Sequence, residues 1–273
     1  MPAMTNAADW SRAADPARRI GHAVEFHAEI GSTNDRARAA LSEPRGQGRA
    51  IVADLQTAGR GRRGRVWISP AGANLLVSVA WQPNVATQLT GLLGIAAALA
   101  VRDACASLVP DAGLAIRWPN DVVDGAGRKV AGLLVETDLE HGALAEAVVG
   151  VGINVNWPSS EMPEEIREGA TSLQELHGEP IDRVDLLDRV LDALDREAAA
   201  LERGDAPVER LRVLSWLDGR QVEIDTGTGR ISGLAAGIGD DGSLLVDGPS
   251  GRLALTVGEV VRVIERPAAG VSS

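Results

Sequence analysis

Apolar and polar positions along this chain change period several times, and each change marks an element. "AIVADL" (50–55) and "NLLVSVAW" (74–81) are short runs rich in apolar and branched residues, which predicts two strands bracketing a polar loop. "LTGLLGIAAALAVRDACASL" (89–108) is longer and is broken only by Arg102 and Asp103. It predicts the main part of a buried helix over 86–108, because its uncharged portion is too short to span a bilayer comfortably. A strand at 114–118, a turn through "NDVVDGAGR", a strand from Lys129 to about Asp138 and another through "LAEAVVGVGINV" (144–155) follow. Strands joined by short turns imply antiparallel pairing with helices packed on the sheet, an α+β arrangement.

Either side of this block the pattern is helical. "GSTNDRARAAL" (31–41) reads as a helix start with Ser32 or Thr33 at the cap, where the hydroxyls could equally meet a ligand. From Ile181 to Leu201, Val184, Leu187, Leu191, Leu194, Ala198 and Leu201 recur at helical spacing, so one face is buried. The acidic, proline-bearing stretch between them, "PSSEMPEEIREGATSLQELHGEP" (158–180), is expected to be a surface excursion. After "SWLDGR" (215–220) short alternating strands are punctuated by Asp218-Gly219, Asp241-Gly242 and Asp247-Gly248, each a hairpin signal, which predicts a small β-barrel. The expected organisation is a flexible tail over 1–20, a main domain over 21–214, the barrel over 215–266 and a tail over 267–273.

Composition narrows the function. The 273 residues suit one large domain or one large and one small, and a net charge of −11 disfavours nucleic acid and anionic membrane as partners. No apolar signal core opens the chain, and the single cysteine, Cys105, cannot form an internal disulfide, so a cytoplasmic location is expected. Cys105 sits in the apolar helix without an adjacent histidine and reads as a core residue. His22, His27, His141 and His177 show no metal-ligand spacing.

Any anion site must therefore be local, and "QTAGRGRRGRVW" (56–67) supplies one. Gly59, Gly61 and Gly64 let backbone approach a ligand closely, while Arg60, Arg62, Arg63 and Arg65 can bind carboxylate or phosphate. The spacing is neither that of a Walker loop nor that of a dinucleotide fingerprint; an Arg-Gly nucleic-acid-binding segment competes with the anion-clamp reading, against the overall acidity. "RWPND" (117–121) and "GINVN" (152–156) place polar residues where strand ends belong. Asn120 and Asn154 suit a purine edge or ribose, and Asp121 suits a metal or a cation, although Asn-Asp before a turn is also ordinary turn chemistry. Of 27 basic residues one alone is lysine, Lys129. Lysine is a compact point charge where arginine is a planar fork, so a site needing one charge between two oxygens could require it, while one stray surface lysine left by an arginine-biased composition is the plain alternative.

"STN", "QTAGRGRRGR.W", "RWPND", "GRKVAGLLVE" and "GINVN" occur in the order and approximate spacing of biotin protein ligases, and over residues 25–265 the chain resembles that family. The resemblance implies a biotin/lipoate ligase core, like class II aminoacyl-tRNA synthetases, with a mixed sheet, packed helices and a small C-terminal Src-homology-like β-barrel. It implies activation of biotin by Mg²⁺-ATP to biotinyl-5′-AMP, then transfer to a lysine of the biotin carboxyl carrier domain of acetyl-CoA carboxylase or a related carboxylase, by a monomer or homodimer. On the family's pattern Ser32, Thr33, Asn34, Gln56, Gly59, Arg60, Arg62, Lys129 and Gly132 fall on biotin-binding positions. Arg62, Arg65, Trp67, Asn120, Lys129 and Asn154 fall on the ATP or adenylate side, and Lys129, Arg62 and Asp121 are the catalytic candidates, with Asp121 also the metal candidate. Arg117 stands where many members have lysine, which removes any role there for a deprotonatable amine. The short stretch before the core does not accommodate the winged helix-turn-helix of repressor members, so no repressor role is expected. A lipoate or octanoate ligase, an Arg-Gly nucleic-acid-binding module and a pure biotin-binding protein are the alternatives.

Overall fold

Strands whose both faces are apolar belong in the middle of a covered sheet, and the two most continuous runs in this chain occupy that place. In the computed structural model, which describes residues 7–141 and 143–264, Leu75–Trp81 (β3) and Ala143–Ile153 (β7) are neighbours at the centre of a seven-stranded sheet. The others are Val24–Ile30 (β1), Ala50–Gln56 (β2), Ala115–Arg117 (β4), Asp121–Val123 (β5) and Lys129–Glu140 (β6), in the order β1-β2-β3-β7-β6-β5-β4. Every pair is antiparallel except β1 with β2, which is parallel, so the sheet is mixed. β1 had no counterpart in the sequence reading, although "VEFHAEI" alternates apolar residues at 24, 26, 28 and 30 with the polar Glu25, His27 and Glu29.

Helices cover both faces. Leu93–Ala106 (α3) and Arg183–Glu202 (α6) pack on one, in the large core that takes Val149, Val151 and Ile153 from β7. Thr33–Ala40 (α2) covers part of the other, with Ala37 against Ile51, Ala80 and Val148. α6 starts where Asp182 accepts from the N–H groups of Val184 and Asp185, a side-chain cap worth about 1 kcal/mol. A segment including α3, Thr87–Ala106, is long and apolar enough to cross a membrane, but most of it is buried against the sheet and α6.

Two expectations are corrected. Residues 7–20 are not a free tail: the short helix Ala7–Trp10 (α1) places Trp10 in the core, stacked on Phe26 at 6.0 Å between centroids, with the Arg183 guanidinium 5.2 Å from its ring. A tryptophan and an isoleucine, Ile20, bury enough apolar area to hold a segment whose composition is otherwise polar. Residues 1–6 and 265–273, which include the expected C-terminal tail and the last residues of the barrel range, lie outside those described. The acidic stretch after Trp157 is also not purely superficial. It folds into Glu164–Arg167 (α4) and Leu173–His177 (α5), and Met162, Thr171, Ser172 and Leu173 are fully buried.

Val208–Leu214 (α7) leads into the second unit, Gln221–Asp225 (β8), Arg230–Ile238 (β9), Leu244–Gly248 (β10), Gly251–Leu255 (β11) and Glu259–Ile264 (β12). These form an antiparallel sheet in the order β11-β10-β9-β8-β12, the Src-homology-like topology expected. The turn signals were partly displaced: Asp241-Gly242 lies in the β9–β10 turn, whereas the β8–β9 turn is Thr226–Gly229 and Asp247-Gly248 ends β10. Val222, Ile224, Ala235, Ile238, Leu244 and Val246 join the same core as the large sheet, and Trp118 Nε1 donates to the Gly242 carbonyl at 3.1 Å.

Candidate active site

Opposite α3 and α6, the centre of the large sheet carries small and polar side chains instead of branched ones. Along β7, Val148, Gly150 and Gly152 face this side, and Gly152 is the register partner of Gly132 on β6. The glycines are required by close approach. A Cβ on Gly152 would lie 2.4 Å from the Trp67 ring, one on Gly132 would lie 2.6 Å from Lys129 Nζ, and one on Gly150 would lie 2.1 Å from Asn34 Oδ1. They form the floor of a cavity of about 300 Å³.

One end of the cavity is neutral and polar. Ser32 occupies the cap position of α2 but makes no side-chain cap bond, which leaves its hydroxyl for another partner. The Thr33 N–H donates to Gln56 Oε1 at 2.8 Å and the Thr33 hydroxyl donates to the same oxygen at 3.0 Å. A backbone donor fixes the amide's orientation, so Gln56 Nε2 turns the other way and makes no hydrogen bond among the described residues. Ser78 Oγ lies 2.7 Å from Thr33 Oγ1 and 2.6 Å from Asn34 Oδ1, and Asn34 Nδ2 donates to Glu136 Oε2 at 2.9 Å. Ser32, Thr33, Asn34 and Ser78 are all buried.

The other end is cationic. Three of the four loop arginines are matched by carboxylates: Arg60 forks onto Asp35, Arg63 meets Asp225 at 3.1 Å, and Arg65 meets Glu259. Arg62 has no carboxylate within ion-pair distance among the described residues and donates to Asn120 Oδ1 at 3.3 Å. Burial pulls its guanidinium below the ordinary value, with Asp121 pulling the other way. Lys129 Nζ is 2.7 Å from Asp121 Oδ1 and 5.3 Å from the centre of the Trp67 ring, while Arg117 donates to Asp121 Oδ2 at 2.9 Å. Burial would push the Asp121 carboxyl up, but the Lys129 ammonium and Arg117 guanidinium outweigh it and hold the group below the usual carboxylate range. The backbone of Lys129 is itself clamped, its N–H donating to Gly169 at 2.7 Å and its carbonyl accepting from Thr171 at 3.0 Å.

Every residue given a biotin, adenylate or catalytic role from the sequence lines this cavity except Gly59, which is set back and accepts from the Trp67 N–H at 3.0 Å, closing the base of the loop; Arg63 and Gly64 of the loop do not line it either. One assignment changes. Asp121 does not suit a metal, because both its oxygens already hold cations, and no group of three or more His, Cys, Asp or Glu that could hold a metal occurs among the described residues. Asn154 lines the cavity, and its Nδ2 donates to the carbonyls of Lys129 at 3.2 Å and Thr171 at 3.1 Å, which braces the lysine strand. Burial pushes the Cys105 thiol up to about 12, in keeping with an inert core residue. Ser78, Glu136, Glu259, Trp157, Ile166 and Ala170 also line or brace the site and were not anticipated. The one legible signal was Ser78, a polar residue on the same strand face as glycines in the neighbouring run.

Comparison with known proteins agrees with this geometry. Residues 28–154 match the biotin/lipoate A/B protein ligase family and residues 219–263 match the biotin protein ligase C-terminal domain. The biotin–[acetyl-CoA-carboxylase] ligase of Mycobacterium tuberculosis is 35% identical over 246 residues, covering 88% of this chain and 89% of that protein. The bifunctional ligase/repressor BirA of Bacillus subtilis is 33% identical, over 84% of this chain and 70% of that protein. The structure of the Aquifex aeolicus biotin protein ligase in complex with biotin and ATP superposes with a TM-score of 0.73 at 30% identity, covering 86% of this chain and 96% of that one. With the sheet, the arginine–glycine loop and the C-terminal unit all matched, this chain belongs to the biotin protein ligase family.

Proposed function

We propose that this enzyme activates biotin with ATP to biotinyl-5′-AMP and transfers the acyl group to a lysine of the carrier domain of acetyl-CoA carboxylase or a related carboxylase. The observation that carries the reading is the joint placement of Arg62 and Lys129, one without a carboxylate partner and one unique in the chain, at the cationic end of a cavity whose other end is neutral. A carboxylate attacking a phosphate brings two anions together, and preorganised cations in a water-poor site lower that barrier more than any other single device. Lys129 and Arg62 neutralise the reacting carboxylate and α-phosphate. Asp121 and Arg117 fix where the ammonium stands, and Trp67 closes over the glycine floor and restricts water, which protects the anhydride. The family implies Mg²⁺, yet no carboxylate cage for it occurs among the described residues; a magnesium ion accompanying ATP would be held chiefly by phosphate oxygens and water.

The neutral end selects the acid. Ser32, Thr33, Asn34 and Ser78 are buried beside Gln56, and the Ser32 hydroxyl and Gln56 Nε2, which have no side-chain partner among the described residues, suit a urea; a lipoyl or octanoyl chain would leave those two unpaired. The test is transfer to a purified apo-carrier domain with biotin, lipoate or octanoate as the acid and ATP present. Biotin alone should label the carrier; equal labelling by lipoate or octanoate would overturn the assignment of the polar end.

A further inference from the structure

The acyl-adenylate that such an enzyme builds reacts with any unprotonated amine it meets, the enzyme's own included. Around the cavity this chain places its positive charge almost wholly on guanidiniums: Arg60, Arg62, Arg65 and Arg117 line it. A guanidinium supplies charge to phosphate and carboxylate but stays protonated, so it does not act as an acyl acceptor. The remaining cation, Lys129, is the single lysine of the 273 residues. Its Nζ is committed to Asp121 at 2.7 Å, lies on Gly132 and faces the Trp67 ring, and its backbone is fixed on both sides by Gly169 and Thr171.

From this we infer that the chain withholds every side-chain amine from its own activated acyl group, which spares the enzyme self-acylation while the adenylate is held without a carrier. The inference rests on the ligase reading above. The step it governs is attack by an amine lone pair on the acyl carbon: the C–N bond forms, the C–O bond to phosphate breaks, AMP leaves with that electron pair, and the ammonium proton passes to solvent. Lysine 129 would have to leave Asp121 and shed a proton to take part. Beside the cavity Val66 and Ile68 are 74% and 52% exposed, and they mark the mouth through which an outside amine enters.

The test incubates the full chain with biotin and Mg-ATP without any carrier, follows pyrophosphate release, and maps biotinylated positions by peptide mass spectrometry. Wild type and two variants, Val66→Lys and Ile68→Lys, are compared. Wild type should release pyrophosphate and carry no biotin on Lys129. A lysine at 66 or 68, tethered at the mouth with an effective concentration on the order of millimolar, should be labelled in cis. Biotin on Lys129 of wild type overturns the inference. So does the absence of label at both 66 and 68 in variants that still release pyrophosphate, because the anhydride would then be shielded whatever amines the chain carried. Wild type that releases no pyrophosphate with biotin removes the ligase reading itself, an outcome distinct from either.

Discussion

Lys129 combines two demands that an arginine meets badly. Its terminus rests on Gly132, where even a Cβ would come within 2.6 Å, and it reaches Asp121 at 2.7 Å beside the Trp67 ring. A wider planar fork in that space must displace the ring or abandon Asp121. Lys129→Arg should therefore lower biotin-dependent adenylation by about 100-fold or more, the usual cost of misplacing a preorganised charge. Asp121→Asn keeps the shape but removes the anchor of the ammonium; a loss on the order of 10-fold in kcat is expected, with the apparent affinity for biotin less affected, as steady-state kinetics would show. Both lysine and aspartate were legible from sequence because their residue types are rare or adjacent in a motif. The carboxylate's engagement with Arg117 and Lys129 was not, because whether an aspartate meets a metal or two cations depends on which strands the fold sets side by side.

The arginine–glycine loop is held as an element, and its clasp is on the second sheet. Arg63 and Arg65 pair with Asp225 and Glu259, which are register partners on β8 and β12. Sequence displayed the arginines but gave no way to find their partners, some 160 or more residues away. An ion pair as exposed as Arg65 with Glu259 contributes roughly 0–1 kcal/mol, so it biases the loop without locking it. Glu259→Gln should raise KM for ATP by about two- to five-fold with little change in kcat. The floor is the second element-scale feature. Gly152→Ala puts a methyl 2.4 Å from the Trp67 ring and should destabilise the protein by about 1–3 kcal/mol; Gly152→Ala combined with Trp67→Ala should recover much of that, a coupling that denaturant unfolding of the cycle measures. The strands carrying these glycines were readable as apolar runs, whereas the period-two placement of glycine on one face carries meaning only once the neighbouring strand shows its own glycine in register.

Across the whole molecule, core and site are linked through shared residues: Trp118 ties the motif beside Asp121 to the small sheet, and the segment through Gly169 and Thr171 ties the lysine strand to α5. The three longest helices, α2, α3 and α6, and the central strands were legible in the sequence, but the buried Trp10 segment and the 158–180 stretch were not, because few apolar residues in polar surroundings suffice to dock a segment onto an existing core. Acid should weaken the molecule in a defined window. Asp121 and Glu25 each experience a desolvation cost that their partners outweigh, the Lys129 ammonium and Arg117 guanidinium for the first and hydrogen bonds from Arg36, His27 and Arg49 for the second, so both are held below their ordinary values. Their stabilisation is complete above the unfolded carboxylate range, about pH 4, and is lost as pH falls through their lowered values. Thermal melting should be insensitive to these groups between roughly pH 5 and 7 and fall steeply below about 4. The most direct test of the site is biotin-dependent pyrophosphate release from Mg-ATP by wild type and Lys129→Arg, with octanoate and lipoate as competing acids. Turnover with biotin alone, abolished or nearly so in the variant, is the predicted result; an inactive wild type, or a variant as active as wild type, would contradict it.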